Sequence, residues 1–126
     1  MDAADVVRRV VDGEALGDAV RRLVEATDSS FAAALDSVAV EIAQRFLAGT
    51  LDYETADDCA NALWTFMCFE SPRTSDGYAT IPDLAYAIFS AFDEGEYDHA
   101  GSTDPVQTFT VPQLRELLSL DGDQRP

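Results

Sequence analysis

The sequence predicts an all-α protein, a single-domain bundle of five to six helices. Three observations carry that expectation. Apolar residues recur at the helical period along most of the chain; Ser, Thr, Asp and Gly stand where helices start and stop; and the aromatic residues need a core. With 47% hydrophobic residues, seven Phe, four Tyr and one Trp in 126 positions, one core forms without disulfide or metal staples. The same aromatics argue against the unfolded chain that strong acidity alone favours.

The N-terminal helices occupy 1–49. Asp5-Val-Val-Arg-Arg-Val-Val-Asp12 is echoed thirteen residues later by Asp18-Ala-Val-Arg-Arg-Leu-Val-Glu25. This pattern reads as a short helical hairpin with both apolar sides inward, or as one amphipathic recipe used twice, and Gly13 is placed to stop the first helix. Ser29 or Ser30 then caps a longer helix through Phe31, Leu35, Val38, Ile42 and Phe46, which Gly49 ends.

The acidic, aromatic-rich part spans 50–126. Thr50 or Asp52 opens a helix with Ala56, Ala60, Leu63 and Met67 along one line, ending near Glu70 because Ser71-Pro72 disfavours continuation. Thr80-Ile-Pro-Asp-Leu84 and Thr110-Val-Pro-Gln-Leu114 both read as helix starts, each with Thr as cap and Pro in the first turn. The first of these helices turns Leu84, Ala85, Ile88, Ala91 and Phe92 inward and Tyr86, Ser90 and Asp93 outward. Alternation over Val106 to Val111 also admits a brief strand against Tyr78 to Ile81, a minor two-strand element in the 78–111 region.

Charge limits the binding partners. The chain has no lysine and a formal net charge of −16, and between Arg45 and Arg115 a single cation, Arg73, faces twelve Asp and Glu. Such a field repels nucleic acid and anionic membranes and attracts a basic protein. Solvent adaptation accounts for the same composition: acids in a salt-rich cytoplasm support solubility and imply no partner. The N-terminal segment offers no apolar signal-peptide core and no membrane span, so a cytoplasmic location is expected.

Little in the sequence favours catalysis or a cofactor. Cys59 and Cys68 lie nine residues apart on one helix, about 13.5 Å along its axis on opposite faces, and are expected to be free thiols. His99 is the sole histidine, which leaves little for a zinc site. An EF-hand register from Asp93 fails because its third, fifth and sixth positions are Gly95, Tyr97 and Asp98. Asp98-His99 resembles an acid–base pair only by adjacency, and no phosphate loop or nucleophile motif occurs. The expectation is a non-enzymatic protein without metal or cofactor; a divalent-metal-dependent enzyme is the distant alternative, which calorimetry with calcium, magnesium and manganese tests.

The binding residues expected are Asp57, Asp58, Asn61 and Trp64 on the fourth helix, Tyr86 on the fifth, and Asp93, Glu94, Glu96 and Asp98 after it. Trp64 lies at the edge of the apolar stripe, beside Asp57 and Asn61. Either it closes the side of the core, or it anchors a basic partner whose arginine stacks on the indole and pairs with a carboxylate. Asp57 and Asp58 have a structural reading as well, as acids near a helix N-terminus. By physical analogy, the functional expectation is an interaction domain of the immunity or antitoxin type that inhibits a nuclease or other toxin. The alternative is a self-contained structural domain or homodimer with solvent-adaptive acidity.

Overall fold

The computed structural model describes residues 1–97 and 104–123, with side chains described through residue 119. Six helices form one bundle: α1 (Ala3–Val11), α2 (Leu16–Thr27), α3 (Phe31–Leu47), α4 (Tyr53–Phe69), α5 (Asp83–Glu94) and α6 (Val111–Asp123). A π-helical turn, Val106–Thr110, runs directly into α6, and among the described residues there is no strand. The two-strand element is thereby corrected. Tyr78 belongs instead to a tight loop in which the Thr74 amide donates to the Tyr78 carbonyl at 2.7 Å.

The central helix is α3, which packs against each of the other five. Its sequence accounts for this position, since Ala34, Leu35, Val38, Ala39, Val40, Ile42 and Ala43 are all buried and cover more than one face. Around it, α1 and α2 form the expected hairpin, with Val6, Val7, Ala19, Val20 and Leu23 turned inward. Phe46, Tyr53 and Phe92 close one side of the core, with Phe46 edge-on to Phe92 at 5.5 Å.

Several local signals act as the sequence implies. The Ser30 hydroxyl accepts from the Ala33 amide at 3.1 Å, and the Asp52 carboxylate accepts from the Thr55 amide at 2.8 Å. Gly49 ends α3 at φ +81°, a conformation other residues adopt at a cost, and the Thr50 amide reaches back to the Arg45 carbonyl at 2.9 Å.

The first Thr-x-Pro segment does open a helix, α5, with Pro82 as its N-cap residue, but the capping role given to the threonine is corrected in both segments. Thr80 does not cap α5; its hydroxyl donates to the Pro72 carbonyl at 2.5 Å and its amide to the Ser71 hydroxyl at 3.0 Å. The acceptor for the first turn of α5 comes from α3, where the Asp36 carboxylate takes the Ala85 amide at 3.0 Å. The last helix starts earlier than Thr110. Asp104 accepts from the Gln107 amide through its side chain at 3.2 Å and from the Thr108 amide through its carbonyl at 3.0 Å, and Pro105 occupies the first helical position. Pro112 then falls inside a continuous helix, just after the π-helical turn. There an α-helical register would demand an amide that proline lacks and would press its ring on the carbonyl four residues back. The Thr110 hydroxyl is buried and donates to the Ala91 carbonyl at 2.6 Å, which ties the turn to α5.

No described helix is long and apolar enough to cross a membrane.

Candidate acidic and aromatic seam between α4 and α5

Helix spacing sets Asp57, Asn61 and Trp64 along one face of α4, at steps of four and three residues. The antiparallel neighbour α5 lays Asp93 and the following Glu96 against the Asp57 end, and Tyr86 and Phe89 against the Trp64 end. The seam therefore has a carboxylate end and an aromatic end, with Asn61 between them.

At the carboxylate end Asp57 is 8% exposed. Its Oδ2 accepts from Asn61 Nδ2 at 3.4 Å, and its Oδ1 is buried without a donor. The Glu96 carboxyl lies within side-chain hydrogen-bonding reach. Two ionised carboxylates offer each other no donor, so the pair is satisfied only when one proton is shared. Burial first, and then the charges of Glu96, Asp58 and Asp93, push Asp57 up to about 7. Burial and the charges of Asp57, Glu96 and Asp93 likewise hold the Tyr53 phenol above its ordinary value. Tyr53 donates to the Phe92 carbonyl at 2.5 Å.

Gly95 makes this approach possible. A Cβ there would lie 2.5 Å from Thr110 Oγ1 and 2.8 Å from the Tyr53 hydroxyl, closer than packed atoms tolerate. Glycine thus lets the end of α5 press on α4 and brings Glu96 to Asp57.

At the aromatic end Trp64 stacks on Phe89, with ring centres 4.8 Å apart and planes 8° from parallel, and meets Tyr86 at 5.5 Å. The indole is half-buried and packs on the core, while Tyr86 is 48% exposed. Trp64 is thus both the side of the core and part of the surface.

Of the residues expected from sequence, the structure brings together Asp57, Asn61, Asp93 and Glu96, and separately Trp64 and Tyr86. Asp58 is exposed one step round the helix, where its charge acts on Asp57 and on the buried Cys59 thiol, which burial pushes up. Glu94 turns away from the seam and accepts from Gln113 Nε2 of α6 at 3.2 Å. Asp98, with His99 beside it, lies outside the described residues. Phe89 and Tyr53 were missed. Each lies one helical step from a residue that was singled out, Phe89 three after Tyr86 and Tyr53 four before Asp57, so the same face argument reaches them.

The counter-charges lie elsewhere. The described ion pairs involve arginines of α1, α2 and α3: Arg8 with Asp5 at 2.8 Å, Arg9 and Arg22 with Glu14, Arg21 with Asp18 and Glu70, and Arg45 with Glu41 at 3.0 Å. Among the described residues no group of three or more His, Cys, Asp or Glu side chains converges as a metal site. Cys59 and Cys68 are both free thiols. The chain matches no family model, no curated protein and no solved structure.

Proposed function

We propose that this protein is a non-enzymatic acidic interaction domain, acting in the cytoplasm, that docks a basic protein surface on the α4–α5 seam. An immunity- or antitoxin-type inhibitor of a nuclease or other toxin is the role that fits this chemistry. The observation that carries the reading is the continuity of Asp57, Asp93 and Glu96 with the half-exposed Trp64, Tyr86 and Phe89 on one helix pair, while the arginines of the described ion pairs all lie on α1 to α3. The exposed carboxylates of Asp58 and Glu96, beside the buried Asp57, steer a cationic partner, and the aromatic end supplies a desolvated anchor. Stopped-flow association with a basic toxin nuclease tests it: the rate falls steeply as salt rises, and a rate indifferent to ionic strength overturns the reading.

A second reading, self-association, is favoured by Phe69 and Tyr78, which are 79% and 73% exposed. In that case the acidity serves solvent adaptation and no basic partner is required. Sedimentation across a salt series separates the two, since a homodimer forms more readily as salt screens its repulsion, whereas a complex with a basic partner weakens.

A further inference from the structure

The second helix pair of this half, α5 with α6, leaves a groove that the seam does not use. Tyr86, Ala87 and Ser90 of α5 and Gln113, Glu116 and Leu117 of α6 line an open volume of about 410 Å³. The spacing places each trio on one face of its helix, and Ala87 is the smallest of the lining side chains. Tyr86 belongs to both features, touching Trp64 on one side and lining the groove on the other.

Resting on the proposed docking of a basic partner, we propose that this groove is the subsite for one arginine side chain of that partner. The stem lies along Ala87 and Leu117, and the guanidinium sits between the Tyr86 ring and the Glu116 carboxylate. Charge complementarity selects the occupant. Among the described residues Glu116 is the carboxylate lining the groove, and between Arg45 and Arg115 the chain has twelve acids to one arginine. An anionic side chain would be repelled there, and an uncharged one would leave Glu116 unanswered. Arg115 is exposed one step round α6 and does not line the groove. Arginine fits better than lysine because its flat, weakly hydrated head stacks on an aromatic face while its edge pairs with a carboxylate. Gln113 is already fixed by its bond to Glu94, which also holds a second carboxylate near the groove.

The test titrates the full chain with octa-arginine and with octa-lysine, following amide shifts by NMR. The expected result is a shift pattern centred on Ala87, Ser90, Gln113 and Leu117 for the arginine peptide, which binds roughly three- to tenfold more tightly than the lysine peptide. Glu116→Gln removes the charge and Ala87→Trp fills the groove at constant charge, and each is expected to cut arginine-peptide affinity to about the lysine level. Because Glu116 is exposed, the first variant keeps its fold even if the second does not. Equal affinity for the two peptides, or undiminished binding in Glu116→Gln, overturns the subsite. Binding that survives in the groove variants but is lost in a combined Asp93→Asn and Glu96→Gln variant overturns the groove alone and leaves the seam. A complete lack of binding at low salt overturns both proposals. Concentration-dependent groove shifts without peptide would assign the groove to a second copy and also overturn the arginine assignment.

Discussion

Asp57 keeps its proton to higher pH than its position in the sequence gives reason for. In the unfolded chain its carboxyl has the ordinary value of 3.8, and in the fold burial and the carboxylates beside it raise this to about 7. Between those values the unfolded chain has released a proton that the folded chain keeps, so stability falls as pH rises through that window. Replacing Asp57 by Asn supplies a permanent donor toward Glu96 and removes this dependence. The variant is expected to be more stable than the parent at pH 8, on the order of 1 kcal/mol after solvent screening, with the gap closing near pH 4. Thermal melts at both values check it, and a gap of equal size at each pH would remove the shared proton. Gly95→Ala probes the same cluster sterically. Its Cβ would collide with Thr110 and Tyr53, and a loss of about 1–3 kcal/mol in denaturant unfolding is expected, with Tyr53 losing its shielding from solvent. The sequence marked Asp57 and Glu96 as acidic, but their meeting joins residues from two helices. Only the fold reveals that one is buried against the other.

Between elements, the caps divide into those legible in sequence and those that are not. Ser30 and Asp52 serve the helices that directly follow them, so local pattern finds them. Thr80 had the right composition for the same role, yet the acceptor that satisfies α5 is Asp36, 49 residues away in sequence. A tertiary cap leaves no local trace, and a nearby threonine is then free to bond elsewhere. Thr110 misled for a different reason. Asp104-Pro105 is an equally good start six residues earlier, and the π-helical turn lets the helix run on past Pro112 where local rules would begin a new one. Asp36→Ala is expected to cost about 1 kcal/mol and to lower hydrogen-exchange protection at Ala85 and its neighbours in α5. Unchanged protection there would show that water serves as well. Thr80→Ala, by contrast, is expected to leave α5 protection intact and to loosen the loop at Ser71 and Pro72.

Across the molecule, charge is divided unevenly, with the arginines of the described ion pairs on α1 to α3 and Glu54, Asp58 and Asp83 of α4 and α5 exposed to solvent. Adding salt from about 0.01 M to 0.15 M shortens the screening length from about 30 Å to about 8 Å, so self-repulsion weakens and the melting temperature is expected to rise by a few degrees before levelling. The protein is nonetheless expected to remain folded at the low end, because its apolar core centred on α3 does not depend on salt. Circular dichroism across the series checks this, and unfolding at low salt would favour acidity as an adaptation to brine. The bundle itself was legible because helical periodicity reports burial directly, whereas the groove between α5 and α6 depends on how two helices splay. The bond from Asp36 has one last consequence: α5 cannot unwind its first turn without giving up a charged acceptor on the central helix. A visitor to the Tyr86 end of α5 therefore meets a first turn already held in place, and little of the attraction is consumed in ordering it. Differences among variants should then register chiefly in how long a complex lasts rather than in how fast it forms.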